Sequence, residues 1–368
     1  MLQTRPTMSK KIRVALAGIG NCSSSLVQGI EYYKITKSGT RGLTYPKIGG
    51  YTVQDLEFVA AFDIDSRKVG HDLSEAIFAQ PNNVRKIAQP KKSGVQVKMS
   101  QPLDGISPVA GDKIEPSDSK AVNVVDVLKS SKADFIVNLI PTGASRASEM
   151  YTDAALKAGC GYINATPAKI ASKPNWRSSY RKRQLPLIGD DIMDQIGSTI
   201  LHKNLLSMLN ERGMRLDETY QLDIGGGTES QIALDKKRYE IKRAIKTSAV
   251  AATVPYSFPI VAGSSDYVDF MENRRTSYFW IRGEYFAGTD FTVDIRLSLE
   301  DGPACAGVLV DVIRMAKVAV EKQKQDLLPA ICAYGFKAPP EKLDVDSVNE
   351  GVEQLVGPAK TRQTRHNT

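Results

Sequence analysis

Histidine and cysteine are scarce: the 368 residues include three of the one and four of the other. Cys22, Cys160, Cys305 and Cys332 stand far apart with no CxxC pair, and His71, His202 and His366 show no metal-ligand spacing. Neither a disulfide framework nor a zinc knuckle is expected, and a reducing cytoplasm fits. Long apolar runs are also missing. None approaches the roughly 18 to 20 residues of a membrane-spanning helix. The opening "MLQTRPTMSKKIRVALAGIG" is basic and then briefly apolar before a glycine turn, so it reads as a tail and a first strand rather than a signal peptide. No internal repeat or low-complexity run is present.

What is there suffices for a large core, since 42% of the residues are hydrophobic. The length suits two domains or one large α/β unit with insertions. The net charge of +8 sits partly in "TRPTMSKK" and "KTRQTRHNT". A basic balance can suit nucleic acid, an anionic membrane or anionic small substrates, but no nucleic-acid recognition motif accompanies it, so nucleic acid is not the expected main partner.

The chain opens as alternating strands and helices. "IRVALAGIG" is a buried-strand pattern ending in glycines, and "NCSSSLVQGIEYYK" is helical. "LEFVAAFDID", "ADFIVNLIP", "CGYINATP" and "LPLIGDDI" read as further strands, with "AVNVVDVLKSSK" and "SEMYTDAALKAG" as helices between them. This order implies a doubly wound parallel sheet with right-handed crossovers. Residues 35–52 and 80–120, rich in Gly, Pro, Lys and Ser, look like long surface excursions. After Gly197 the pattern changes. "TILHKNLLSMLNERG" is an amphipathic helix that carries His202 as a structural residue. "SYFWIRGEYF" and "FTVDIRLSLED" alternate as antiparallel strands with one wet face do. A second, α+β domain is expected from about 200 to 300, followed by the helix "AGVLVDVIRMAKVAVEKQ" packing back on the first.

"GIGNCS" is Gly18-x-Gly20-x-x-Ser23, with Asn21 and Cys22 between the second glycine and the serine. A dinucleotide fingerprint needs its first glycine for a tight turn and its second for close approach to the pyrophosphate. The third position lets helix and strand pack closely. Asp63 or Asp65 ends the next strand, where a carboxylate would bind the ribose diol and favour NAD over NADP.

Several blocks in one order carry a resemblance. They are "RVALAGIGNCSSSLVQGIEYY", "VAAFDID", "VGHDLSEAIFA", "GDDI", "DIGGG", "IKTSAV", "AGVLVDVIRMAK" and "AYGFKAPPE". Over residues 12–342 the chain resembles the myo-inositol-phosphate synthases, in their shorter bacterial and archaeal branch. The resemblance implies an α/β fold: an NAD-binding Rossmann domain (11–199), an inserted catalytic and tetramerisation domain of α+β type (200–304), and a return to the first domain (305–345). Flexible tails are expected at 1–10 and 346–368. It further implies a homotetramer and a redox-neutral reaction in which NAD oxidises C5 of glucose 6-phosphate. C6 then enolises and closes on the C1 aldehyde, and C5 is re-reduced. A divalent cation is a possible second cofactor, although no ligand cluster demands one.

By the same resemblance Lys242, Lys246, Lys337 and Asp301 are the catalytic candidates. By spacing alone, Lys242 and Lys246 lie four apart on a helix, which is more simply a solvated face. Lys236, Lys237 and Arg238 are expected to be solvated. Asp191 and Arg275 are assigned to the substrate. Gly197, Ser198 and Thr199 begin a helix and would hold a phosphate by N–H groups. Asn138, Pro141, Asn164 and Thr166 end strands and are expected along the nicotinamide, and Asp190, at the end of another strand, is a further cofactor candidate. The substrate side departs from the family pattern. Met193 and Asp194 stand for a lysine and a small hydroxyl residue. "GGGTES" (Gly225–Ser230), with Gly227 and Glu229, stands for "GGNxDF", and Ala304 for an asparagine. Three readings stay open: an inositol-phosphate synthase, a related NAD-dependent cyclase or redox enzyme acting on another sugar phosphate such as a ketose phosphate, and a non-catalytic NAD-binding homologue. The first gains if Asp194 turns away from the pocket.

Overall fold

The computed structural model describes residues 11–36, 39–106, 109 and 113–357; the expected tail at 1–10 and residues 358–368 of the one expected at 346–368 lie outside them. Six strands form one sheet: β1 (Ile12–Ala17), β2 (Leu56–Asp63), β3 (Val97–Met99), β4 (Phe135–Asn138), β5 (Gly161–Asn164) and β6 (Leu187–Ile188). Every pairing is parallel, in the order β3-β2-β1-β4-β5-β6. This is the doubly wound Rossmann arrangement. β1 is apolar on both sides, and Ile12, Val14, Leu16 and Ala17 have no exposed surface, because helices cover both faces. Those helices are α1 (Asn21–Ile35), α2 (Leu73–Ala76), α3 (Val124–Ser130), α4 (Ser145–Ala158) and α5 (Pro174–Lys182). The strand order reverses between β1 and β4, which opens a crevice at their carboxyl ends.

A second layer begins with α6 (Ser198–Glu211). It contains β7 (Arg215–Gly225), α7 (Thr228–Ile232), α8 (Lys236–Ala251), β8 (Ile260–Tyr267), β9 (Arg274–Tyr285) and β10 (Thr289–Glu300). The sheet order is β10-β9-β7-β8, antiparallel except for the parallel β7–β8 pair. Helices α6 and α8 cover one face, where their Leu206, Leu209 and Val250 share a core with Leu216 and Ile281 of the sheet. On the other face Tyr220 stacks on Trp280 at 5.6 Å, and Leu222, Val261 and Tyr278 remain substantially exposed.

The chain returns through α9 (Asp301–Glu321), whose buried Leu309, Val312, Ile313 and Ala316 share one core with β1 and α1. α10 (Leu328–Gly335) and α11 (Val345–Val356) follow. Three expectations need correction. Residues 346–356 are not a tail: α11 buries Val352, Leu355 and Val356. Its apolar residues recur at helical spacing behind Asp344, whose side chain caps the Ser347 N–H at 2.8 Å. Residues 80–120 are not only an excursion, because they supply the edge strand β3. Nor are residues 39–52 only a surface excursion. Ile48 and Tyr51 are buried, and the buried Arg314 guanidinium donates to the carbonyls of Tyr45, Pro46 and Tyr51. Among the described residues no helix is long and apolar enough to cross a membrane.

Candidate active site

One cavity runs from the β1–α1 turn to the inner faces of α8 and β9. It is lined by Gly18, Gly20, Asn21, Cys22, Asp63, Pro141 and Thr166 at one end, and by Asp191, Asp194, Lys242, Lys246, Arg275, Asp301 and Lys337 at the other. The fold thus brings most of the cofactor candidates and all the charged substrate-side candidates to a single space.

The cofactor end follows from local backbone chemistry. Gly18 has φ +86°, and a Cβ there would lie 2.8 Å from the Leu139 carbonyl oxygen at the end of β4, so only glycine fits. At Gly20, by contrast, a Cβ would meet nothing within 4 Å: it leaves open space at the α1 N-terminus. Ser23 lies behind the turn, its hydroxyl donating to the Gly18 carbonyl at 2.5 Å. Asp63 accepts the Ile19 N–H at 2.7 Å and the N–H groups of Ile64 and Asp65, which fixes its carboxylate against the turn.

Asn138, Asn164 and Asp190 do not line the cavity. Asn138 donates to Asn164 at 3.0 Å, and Asn164 donates to Asp190 at 2.7 Å. Asp190 accepts the N–H groups of Ile170, Ala171 and Ser172. The three side chains face one another and tie together the ends of β4, β5 and β6. Burial raises the pKa of Asp190 against these donors.

On the substrate side α8 is capped by Asp235, which accepts the Arg238 N–H at 3.0 Å. The buried face of α8 is Arg238, Lys242, Lys246, Ala249 and Val250, a helical stripe read in steps of three and four. Lys242 and Lys246 therefore point inward, and Lys236 and Lys237 outward. Arg238 is buried rather than solvated, and its guanidinium donates to the Thr142 carbonyl. Lys337 is placed by a short two-stranded contact: its N–H donates to the Asp191 carbonyl at 2.7 Å, and Asp190 and Ala338 exchange N–H bonds. Asp301 opens α9, its N–H bound to the Asn273 carbonyl at 2.9 Å.

Each cation has an acidic partner. Lys242 meets Glu229 at 2.6 Å, and Lys337 meets Asp191 at 3.0 Å. Lys246 meets Asp223 in a very short contact. Arg275 donates to Asp301 at 2.7 Å and lies 3.8 Å from Asp194. Burial lowers the pKa of Lys246, helped by Arg275, Lys337 and Lys242, against the pull of Asp223. For Lys337 burial also opposes the charge, but Asp191 and Asp194 outweigh it and the pKa rises. Asp194 is pushed up to about 6, first by burial and then by Asp301. Its side chain does not turn away; it faces the cavity.

Gly197, Ser198 and Thr199, expected to hold a phosphate, do not themselves line the cavity; they stand behind Asp194 at the start of α6. Ser198 donates to Asp223 at 3.3 Å, and the buried Thr199 hydroxyl has no hydrogen-bond partner among the described residues. Met193 is buried, its N–H held by the Gly335 carbonyl. Two members of the cluster escaped sequence reasoning. Asp223 was detectable: Thr219, Gln221 and Asp223 alternate along β7, and period two puts them on one face. Thr142, whose hydroxyl donates to Glu229, carries no such signal.

A family model described as myo-inositol-1-phosphate synthase matches residues 197–302. The inositol-3-phosphate synthase of Mycobacterium tuberculosis is 39% identical over 356 residues, covering 95% of this chain and 97% of that protein. The crystal structure of Ari2 is 31% identical with a TM-score of 0.74, over 94% of this chain and 98% of that one. A myo-inositol-1-phosphate synthase-related protein from Thermotoga maritima shares the fold at TM-score 0.76 and 20% identity, with 94% and 98% coverage.

Proposed function

The chain belongs to the myo-inositol-1-phosphate synthase family, and on that premise we propose that it is a cytoplasmic, NAD-dependent cyclase converting glucose 6-phosphate into a myo-inositol phosphate. The observation that supports this most is the shared cavity, with a dinucleotide turn at one end and, at the other, the buried Lys242 and Lys246 with the largely covered Lys337 and Arg275.

The turn suits NAD. The open space over Gly20 leaves room for a pyrophosphate against the α1 N-terminus, and Asp63, which lines the same end of the cavity, would take the ribose diol. Bound NAD would supply the hydride acceptor for C5 of the sugar and the donor that restores it. A divalent cation has no ready-made seat. Among the described residues no three His, Cys, Asp or Glu groups converge on one point, and no step here is routed through a metal.

The side chains divide the remaining work. Lys246, whose charged form burial disfavours, is suited to take the C5 hydroxyl proton, with Asp223 holding the resulting ammonium. Lys242, braced by Glu229, and Lys337, braced by Asp191, set positive charge where the enolate and the aldol oxygen develop. Arg275, oriented by Asp301, and the first turn of α6 receive the phosphate.

We further propose that a second copy covers the open sheet face carrying Tyr220, Trp280, Leu222 and Tyr278, within a homotetramer. Light scattering on the eluting protein tests this; a monomeric mass sinks it.

Incubation with NAD and glucose 6-phosphate, followed by phosphorus NMR, tests the reaction. A new inositol phosphate is expected. Asp194, turned into the cavity, favours one second reading, a related cyclase acting on another sugar phosphate. Product from such a phosphate and none from glucose 6-phosphate would establish that reading instead.

A further inference from the structure

Five carboxylates surround four cations in this pocket: Asp191, Asp194, Asp223, Glu229 and Asp301 around Lys242, Lys246, Arg275 and Lys337. Four of the five lie 3.0 Å or less from their cation, whereas Asp194 is 3.8 Å from its own. Asp194 is the surplus negative charge. It also occupies a particular place. A Cβ on Gly197 would lie 2.9 Å from Asp194 Cβ and 3.0 Å from its Oδ2. The carboxylate therefore packs against the backbone of the residue that caps α6. No side chain caps that helix, which runs 14 residues. The Thr199 hydroxyl in its first turn is buried and unpartnered among the described residues.

A phosphate received at this helix start would bring a second anion beside Asp194. As a dianion it would meet a fully ionised carboxylate in a nearly dry site, where like charges repel strongly. The cations cannot all swing to the phosphate without leaving their own carboxylates unpaired. Removing one negative charge from the cluster resolves the conflict, and Asp194 is the carboxylate least committed to a partner.

We propose that Asp194 and the substrate phosphate share one proton: the phosphate docks at the α6 N-terminus with Asp194 in its acid form, whose O–H donates to a phosphate oxygen. The proton enters from solvent on binding and returns to it on release, so no other group changes its proton count. This inference rests on the sugar-phosphate reading above. Asp194 acts as a positioning and specificity residue; the chemistry stays with the lysines.

The groups facing Asp194 set the pH range. Lys246 on α8, Arg275 on β9 and Lys337 after α10 favour its ionised form, while Asp301 on α9 and its own burial disfavour it. Asp191, Asp223 and Cys305 complete the titratable surroundings. The ligand-free carboxyl titrates at about 6. Between pH 7 and 8.5 the free enzyme therefore holds it ionised. A phosphate monoester, whose second pKa is about 6, is a dianion over the same range and contributes no slope of its own.

The test is the pH dependence of KM for glucose 6-phosphate with NAD saturating, across that window. Uptake of one proton makes KM rise about tenfold per pH unit by linkage, a slope separate from the rise of kcat with pH that a neutral Lys246 would give. Asp194→Asn should flatten the KM profile, and Asp194→Ser, which restores a small hydroxyl, should do the same. Calorimetry of inorganic phosphate binding in buffers of different ionisation enthalpy should give about one proton taken up by the unaltered protein and about none by Asp194→Asn. A flat wild-type profile, or the same slope in both variants, overturns the proposal. If the unaltered protein and both variants, all folded and binding NAD, turn over no sugar phosphate, the underlying reading has failed and this inference falls with it.

Discussion

Lys242 Nζ lies 2.6 Å from Glu229 Oε1, and the hydroxyl of Thr142 donates to the same carboxylate. One glutamate therefore joins the lysine helix to the loop that follows β4. The carboxylate fixes the ammonium and is itself held below the usual glutamate range, since Lys242 and Thr142 outweigh its burial. Lys242→Ala should lower kcat about 10²- to 10⁴-fold, the usual scale for a positioned proton-transfer or charge-stabilising group. Its NAD affinity should stay within about twofold of the original. Glu229→Gln keeps the hydrogen-bond acceptor but removes the charge, and a smaller loss of roughly tenfold is expected. Steady-state turnover with NAD titration checks both. Unchanged turnover in Lys242→Ala would remove that lysine from the chemistry.

Lys246 and Asp223 form a more enclosed pair, with side-chain exposures of 6% and 2%. Removing one member strands the other's charge in the interior. Lys246→Ala should therefore cost about 3–5 kcal/mol of stability as well as turnover. The double change Lys246→Met with Asp223→Asn should recover most of the stability and none of the activity. Lys246→Arg separates charge from proton transfer, because a guanidinium stays protonated. If Lys246 takes the C5 proton, that variant is inactive although its site remains cationic. Because burial lowers the Lys246 pKa, kcat should rise with pH on a limb below the ordinary lysine range. A Lys246→Arg enzyme with normal turnover would sink the assignment.

The two turn glycines predict different defects. Gly20 has φ −89°, and a Cβ there would touch nothing within 4 Å. Gly20→Ala should leave the melting temperature nearly unchanged but push a methyl into the space a pyrophosphate needs, weakening NAD at least about tenfold. Gly18→Ala meets a positive φ and the Leu139 carbonyl at 2.8 Å. It should lose roughly 1–3 kcal/mol of stability together with cofactor binding. Thermal melts with and without NAD distinguish the two. Equal effects in both variants would mean that Gly20 is a structural residue only.

What could be read from the sequence depended on how local each signal was. The parallel core was legible because "IRVALA" and "FIVN" are short, apolar and bounded by turns. The β9–β10 pair was legible because its alternation runs through 12 residues of each strand. β3 was not: its three residues are too few to show a period, and the sheet edge determines them. That Lys242 and Lys246 share one face follows from helical spacing, but that the face is the buried one does not, since a lysine pair by itself reads as solvated. Their partners were less accessible, since Glu229, Asp223 and Asp191 come from three different elements that only tertiary packing brings together. Asn138, Asn164 and Asp190 show the converse. Polar residues at strand ends look like ligand contacts, but here they satisfy one another and the N–H groups of 170–172.

His202 ties α6 to the sheet behind it, and this makes acid sensitivity a structural effect. Its ring is fully buried, 2.9 Å from the Thr219 hydroxyl and 3.2 Å from Gln221 Oε1. Burial depresses its pKa from 6.5 to about 4, against smaller opposing effects of Gln221 and Asp223. The sign is then fixed. Between pH 6.5 and about 4 the unfolded chain binds a proton that the native chain refuses, so stability falls as pH falls through that window. The full loss is about 3 kcal/mol, reached below both pKa values. Asp194 acts oppositely in part of the range: its raised pKa means the native state takes a proton before the unfolded chain does. The comparison must therefore be made between proteins that differ only at 202. His202→Gln keeps a polar group against Thr219 and removes the titration, so its melting temperature should depend less steeply on pH between 4 and 6.5. Identical slopes in the two proteins would refute the assignment. If the slopes differ as expected, activity lost in mild acid traces to loosening against β7 of α6, the helix whose first turn is proposed to receive the phosphate.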